Sequence, residues 1–304
     1  MTVRLSVDRR RWETHVDTTL AAYPSPVPVV KGNGYGFGRE GLAKFAAERV
    51  DTIAVGTVHE LDAVPSATTA VVLTPTLVAP ERHDVVLTVA AHEHVDALAG
   101  WSGRVLVKLA SSMQRYGGEP ELIAAAGAAG LDVLGVSVHP PLAASDTDHV
   151  AEIVRIVEAV DPALDVWASH VGPSLTDALP GRRIRHRIGS TLWHGDREAL
   201  HLAAQVIDVR ATTRSSAAGY RSTEVPVDGH LVMVGAGTAH GVAALPDGRS
   251  PFHHRQQRLQ MFEPPHMHTT MLLIPNGEPL PVTGDWLDLQ RPLTQTMVDE
   301  IVWV

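Results

Sequence analysis

The chain of 304 residues contains no cysteine, so disulfides and thiolate metal sites are excluded and nothing marks a redox compartment. It has no apolar run approaching the roughly 20 residues that a membrane-spanning helix needs. The opening "MTVRLSVDRRRWETH" lacks the apolar stretch of a secretory signal, and a cytoplasmic location is the expectation. A basic excess is missing too. The formal net charge is −9, which leaves no basic stripe to release counterions from nucleic acid. There is no HExxH pair on a helix and no GxGxxG after a strand. A small-molecule partner is therefore expected, with neither nucleic acid nor membrane.

What is present is a long alternation of short apolar runs and helical stretches. The runs are "VPVVK" (27–31), "TIAVGTV" (52–58), "AVVLTP" (70–75), "VVLTVA" (85–90), "RVLVKLA" (104–110), "VLGVSVHP" (133–140), "DVWASHVG" (165–172) and "RRIRHRIGS" (182–190). Between them, "REGLAKFAAERV" sets Leu42, Phe45, Ala46 and Val50 on one helical face, and "DTDHVAEIVRIVEAV" does the same with Val150, Ile153, Val154 and Val157. Strands that are apolar nearly throughout read as a parallel sheet covered on both faces. Eight such units predict an α/β protein built on a (β/α)8 TIM-type barrel, over residues 10–205. An open doubly wound sheet is the rival arrangement. After residue 205 the chain turns to short strands broken by Gly, Pro and Asp, which predicts a smaller all-β C-terminal domain over 206–304. The N-terminal strand, within 1–9, is a candidate to join that sheet.

Active sites of such barrels lie at the C-terminal ends of the strands. There the sequence sets Lys31, Lys108, His139, Ser169, His170, Arg187 and Ser190. Lys31 closes an apolar run and is followed by "GNGYGFG", a stretch whose glycines allow close backbone approach to a ligand. A lysine at the mouth of a hydrophobic strand suits Schiff-base chemistry. The small residues of "ASHVG" and "RIGST" offer backbone N–H groups to an anion, and a lysine facing a phosphate cradle describes a pyridoxal phosphate site.

Those residues carry a resemblance. "VVKGNGYGFG" resembles the "VVKANAYGHG" signature of the alanine racemase family, pyridoxal phosphate enzymes with an eight-fold barrel and a C-terminal β-domain. "VKLASSMQRYGG" resembles "VKVDTGMGRLG", "GVSVHPPLA" resembles "GIMTHFA", "WASHVGPSL" resembles "ANSAATL", and "RIGSTLWHG" resembles "RPGIALYG". In the last third, "AAGYRSTEV" resembles "VGYGATYT" and "LTQTMVDEIV" resembles "MDQIMVDLG". The resemblance implies an isomerase that racemises an amino acid, alanine leading, by two-base proton exchange at Cα. It implies Lys31 as the Schiff-base lysine and one base, and Tyr220 as the opposite base, supplied across a homodimer. Tyr35, Gly189 and Ser190 would hold the phosphate, and His139 would stack near the pyridine ring. Arg187 would donate to the ring nitrogen. Arg115 would meet the substrate carboxylate, with Met113 beside it. Lys108 stands where some members carry a carbamylated lysine.

Each residue has a plainer alternative. For Lys108 and Arg115 it is an ion pair with a carboxylate, for His139 a hydrogen-bonded core histidine, for Tyr220 an exposed loop aromatic. The chain also departs from the family pattern. The phosphate-binding serine of "ANSA" falls on His170, so Ser169 or the imidazole must replace it. The tyrosine of "GYADG" is Thr238, and the chain is expected to be a C-terminally short member. The stretch "HHRQQRLQMFEPPHMHT" has no counterpart in the racemases. Within it, His266 and His268 at i, i+2 on a strand would point the same way and suit a metal. That opens a second function, a metal-assisted lyase acting on a D-amino acid and similar to D-serine dehydratases and D-threonine aldolases. A non-catalytic relative that binds pyridoxal phosphate is a third.

Overall fold

The computed structural model describes residues 2–304. By contact the chain divides into two compact units, one of residues 14–34 and 39–195, the other of residues up to 13, 35–38 and 196–304.

The first unit is an eight-stranded parallel barrel. Its strands are β2 (Pro26–Pro28), β3 (Thr52–Val55), β4 (Thr69–Val72), β5 (Val85–Val89), β6 (Arg104–Lys108), β7 (Asp132–Val138), β8 (Asp165–Ser169) and β9 (Ile184–Ile188), with β1 (Val3–Val7) preceding them in the chain. They pair in chain order from β3 to β9, and β9 returns to β2. A bridge from Val29 to Ala54 closes the ring, with Val30 N–H donating to the Ala54 carbonyl at 2.8 Å. Strands β3, β5 and β8 are buried at every position, as expected of strands covered on both faces. All eight expected runs overlap an observed strand, though the strands end up to three residues before the runs do.

Helices α2 (Arg39–Ala47), α3 (His92–Ala97), α4 (Glu121–Ala128), α5 (Asp146–Val157), α6 (Ser174–Ala178) and α7 (Ser190–His194) follow β2, β5, β6, β7, β8 and β9. The helical complement is smaller than the expected eight. Only a 3-10 turn, Val58–Ala63, follows β3, and no helix separates β4 from β5. Helix α5 starts on a Ser145–Asp148 capping box and buries His149, Ile153 and Val157. His149, rather than the expected Val150, thus faces inward. Strand β6 shifts register against β7 between Val105 and Leu106. Gly135, opposite Leu106, accommodates the backbone of Asp165, where a Cβ would collide with the carbonyl oxygen. After the shift, Lys108 aligns with Ser137, and Ser169 aligns with Arg187.

The second unit is an antiparallel sheet. Its order runs β15 (Gln257–Arg258), β14 (Phe252–His254), β18 (Trp286–Leu289), β10 (Leu200–Thr212), β13 (Gly229–Val234), β17 (Thr270–Pro275), β16 (Gln260–Met261). Strand β1 pairs antiparallel with β10 and parallel with β19 (Glu300–Trp303). A small ribbon of β11 (Ala217–Ala218) and β12 (Thr223–Glu224) stands apart from this sheet. Its core gathers Val3, Val206, Val232, Phe252, Leu272 and Leu287, all buried. Helix α1 (Arg9–Ala21) begins here, where Trp12 packs against Phe37 and Trp303 at 4.8 and 5.5 Å between centroids.

Candidate active site

The ends of β6 to β9 bring one polar network together. Arg187, on β9 and 7% exposed, donates from Nη1 to Ser137 Oγ at 2.6 Å and from Nη2 to the Val138 carbonyl at 2.8 Å. Nη2 also lies 3.3 Å from Ser169 Oγ. That hydroxyl is 2.6 Å from His139 Nδ1. Arginine can only donate, so Ser169 accepts from it and makes its second hydrogen bond with His139 Nδ1. Desolvation, then Arg187 and His170, push the His139 pKa down to about 2. The ring is neutral. Its edge meets the His170 ring at 4.5 Å between centroids.

The loop after β8 is braced by α5. His170 has a left-handed backbone, φ 59°, and its carbonyl accepts from His149 Nδ1 at 2.6 Å. Asp146 accepts from the Gly172 N–H at 2.5 Å and from Ser174 Oγ at 2.7 Å. Within "ASHVG" the Gly172 N–H is thus committed to a carboxylate, and the Ser169 hydroxyl is engaged by His139 and Arg187. Gly189 and Ser190 stand at the junction of β9 and α7, with Gly189 as the residue capping the helix.

Around this network gather cations without ion pairs. Lys108, at the end of β6 and 4% exposed, has no hydrogen-bond partner for Nζ. Desolvation, then the charges of Arg187 and Arg115, lower its pKa to about 7. No carboxylate pairs with Lys108, Arg115 or Arg187 among the described residues, so the ion-pair alternatives for Lys108 and Arg115 do not hold. Arg115 instead lies over the Tyr116 ring, 4.6 Å from its centroid, in an exposed loop beside half-buried Met113. Arg187 is lowered to about 10, chiefly by burial, and its Nε is likewise without a partner.

Lys31 follows β2 with its side chain accessible. Its pKa is lowered by desolvation, then by Arg115 and Arg187, against an opposing pull from Glu60. Glu60 was not foreseen in the sequence. It accepts from the Gly32 and Gly56 N–H groups at 3.2 and 2.6 Å and so fixes the turn that follows Lys31. A buried donor set this rich in positive charge, with orphaned Nζ and Nε atoms, fits an anionic ligand.

Tyr35 and Tyr220 belong to the other unit. Tyr35 is buried in a left-handed conformation, φ 55°, and burial raises its pKa to about 12. Tyr220 is 87% exposed, in the turn between β11 and β12, with its ring stacked on His266 at 4.2 Å. Thr238 opens a short 3-10 turn and donates its N–H to the His266 carbonyl.

The strand placement read for His266 and His268 is corrected. β16 ends at Met261 and β17 starts at Thr270, so His266 and His268 lie in a loop broken by Pro264 and Pro265. They take different partners. His266 Nε2 is 2.5 Å from Glu263 Oε1, whereas His268 faces the His240 ring. Glu263 is the residue that sequence reading missed here. Its only signal was its place in the stretch that the sequence reading set apart from the family pattern.

A family model described as the alanine racemase N-terminal domain matches residues 7–176. Among solved structures, the chain is similar to the alanine racemase from Bartonella henselae with covalently bound pyridoxal phosphate, with a TM-score of 0.76 and 16% identity over 100% of both chains. It is similar to the enzyme from E. faecalis, with a TM-score of 0.72 and 18% identity over 100% of this chain and 98% of that one. For the alanine racemase of D-cycloserine-producing Streptomyces lavendulae the values are 0.71 and 19%, over 100% and 97%. At these identities the likeness is one of fold. No match was found among curated proteins.

Proposed function

The chain belongs to the alanine racemase family, and on that premise we propose that it is a pyridoxal phosphate-dependent amino-acid racemase with alanine as its leading substrate. The observation that carries the reading is the unpaired positive charge at the barrel's strand ends, where Lys108 Nζ and Arg187 Nε are buried without partners. The phosphate of the cofactor and the carboxylate of an amino acid are the anions that such a site needs. When bound, pyridoxal phosphate supplies a ring that stabilises negative charge at the substrate's Cα.

Lys31 Nζ would hold the cofactor and move the Cα proton on one face. Its lowered pKa favours the neutral amine that both tasks require. Tyr220 Oη would move the proton on the opposite face, and its exposure suits a residue that serves a second copy of the chain in a homodimer. Arg187 would face the pyridine nitrogen, where a group that only donates keeps that nitrogen an acceptor. His139 would lie near the ring as a neutral imidazole, held by Ser169. Arg115 would fork onto the substrate carboxylate, with Met113 beside it. Gly189, Ser190, Tyr35 and the His170 imidazole would serve the phosphate. Lys108, poised near neutrality, would take up its full charge when an anion arrives.

The experiment is incubation of the holoenzyme with a panel of amino acids in heavy water, scoring Cα exchange and chirality together. Exchange with inversion of alanine is the expected result. A protein that yields no borohydride-trapped adduct on the Lys31 peptide, or that exchanges no amino acid, overturns the reading. Activity that disappears with a chelator would point to the lyase instead.

A further inference from the structure

An exposed tyrosine in a glycine-flanked turn ordinarily samples several rotamers, yet the β-unit gives Tyr220 a fixed bed. Its ring lies on the His266 imidazole, with planes inclined by 27°. Beneath both is Glu263, 7% exposed. Glu263 Oε1 accepts from the Tyr220 backbone N–H at 3.1 Å as well as from His266 Nε2. Its Oε2 accepts from Thr223 Oγ1 at 3.4 Å. Burial raises the Glu263 pKa, but the hydrogen bonds from His266 and from the backbone of Tyr220 and Arg221 outweigh it and lower it overall. Gly219, at φ +76°, makes the arrangement possible, because a Cβ there would fall on the Glu263 carboxylate. One carboxylate thus ties down both the backbone of Tyr220 and the ring on which its side chain rests.

We propose that Glu263 and His266 are a positioning pair for Tyr220, the carboxylate fixing the imidazole and the imidazole face fixing the phenol. The proposal rests on the reading of Tyr220 as a base at Cα. In that step Oη gives its proton to Cα or takes one from it, while the imidazole keeps its own on Nε2, committed to Glu263. The pair moves no proton. It removes the rotamer search that an exposed phenol would otherwise make before each transfer.

The test compares wild-type holoenzyme with His266→Leu, His266→Phe, Glu263→Gln, Tyr220→Phe and the double variant of His266→Leu with Tyr220→Phe. The probe is alanine in deuterated water, with inversion and Cα exchange measured separately. His266→Leu should lower inversion by about 10²-fold, the loss that follows roughly 1 Å of misplacement at a reacting group. Exchange with retention on the Lys31 face, KM and the cofactor's visible absorbance should persist. His266→Phe, which keeps an aromatic face, should recover part of the loss. In the Tyr220→Phe background, His266→Leu should add less than about a twofold effect, because the two act as one unit. A readout free of turnover is available, since the chain has only four tyrosines. In ring-labelled protein the Tyr220 resonance, assigned by its loss in Tyr220→Phe, should move when His266 is replaced. Should His266→Leu fold poorly, Glu263→Gln serves the same comparisons, with a smaller loss of inversion.

Full additivity in the double variant overturns the proposal, as does an unmoved Tyr220 resonance with inversion intact. If Tyr220→Phe is crippled while His266→Leu is not, only the positioning proposal fails. If Tyr220→Phe racemises at the wild-type rate, the two-base reading fails and the positioning proposal with it.

Discussion

At the strand ends of the barrel, Lys108 and Arg187 are buried with no carboxylate to pair with, whereas in the β-unit the buried Glu263 has a donor on each oxygen. The two regions use burial for different ends. Burying an unpaired charge costs stability and leaves a strong demand for a counterion. Burying a charge whose hydrogen bonds are complete fixes geometry. The first region keeps that demand after folding, and the second is complete as it folds. Substitutions at the two should therefore have opposite signatures, with function and stability separating in the barrel and moving together around Tyr220.

The largest effect is expected at Lys31. Lys31→Ala should abolish the visible absorbance of the bound cofactor and lower racemisation by about 10⁴-fold, the upper end for a single acid–base group. Absorbance and racemisation assays on the same preparation check this. Retained absorbance would move the cofactor elsewhere and break the comparison at its base.

Arg187→Met comes next and separates the two regions most cleanly. It should weaken cofactor binding while leaving the cofactor-free protein as stable as before, or more stable by about 1–4 kcal/mol, since an apolar side chain replaces a buried cation without a counter-charge. Glu263→Gln should do the reverse in its own region, lowering the denaturation midpoint because His266 and the Tyr220 N–H lose a charged acceptor. Urea denaturation of both variants without cofactor decides the matter. A large destabilisation by Arg187→Met would mean that its bonds to Ser137 and Val138 outweigh its desolvation.

A smaller effect, with a defined sign, belongs to Lys108. Its pKa is about 7 in the folded protein against an ordinary 10.5. Between those values the unfolded chain holds more protons, so stability rises with pH through this window. Below about pH 7 both states are protonated and the cost of the buried charge is present in full. One proton gives at most about 1.4 kcal/mol per pH unit. The measurement is the urea midpoint of the cofactor-free protein from about pH 6 to about pH 10, where Lys108→Met should flatten the slope that this lysine contributes. Inorganic phosphate should protect the wild type more strongly towards the acid end, where Lys108 is charged, and a bound ligand stabilises by about 2.7 kcal/mol at a hundred times its Kd.

What could be read in the sequence follows the same division. Strands covered on both faces write themselves as apolar runs, so "VVLTVA" and "RVLVKLA" were legible as β5 and β6, and the residues at strand ends came with them. Lys31, Lys108, His139, Ser169 and Arg187 were located by the barrel's own geometry. Helix α1 was not legible, since Trp12, Val16 and Leu20, all buried, form a narrow stripe among charges in "RRRWETHVDTTLA". The period-2 reading of His266 and His268 failed because Pro264 and Pro265 end the strand before them. Glu263 was invisible for a deeper reason. Its partners Gly219, Tyr220 and Thr223 lie some forty residues earlier in the chain, and only folding brings the β11–β12 ribbon and the loop after β16 together.

The smallest change should be the most telling about the β-unit. Gly219 has φ +76°, and an added Cβ would meet Glu263 Oε1, Cδ and Oε2. Gly219→Ala pays twice for one methyl group, with about 1 kcal/mol or somewhat more for the left-handed backbone and with displacement of the carboxylate. Stability should fall by that modest amount, read as a shift in urea midpoint. Inversion should fall further than the stability loss predicts, because a moved Glu263 releases His266 and with it the bed of Tyr220. Gly248→Ala is the control, with a similar φ of +80° and no atom within 4 Å of the added Cβ. It should show the backbone penalty alone. Equal losses of inversion in the two variants would mean that Tyr220 needs no support from Glu263, and that the second region is a scaffold like any other turn.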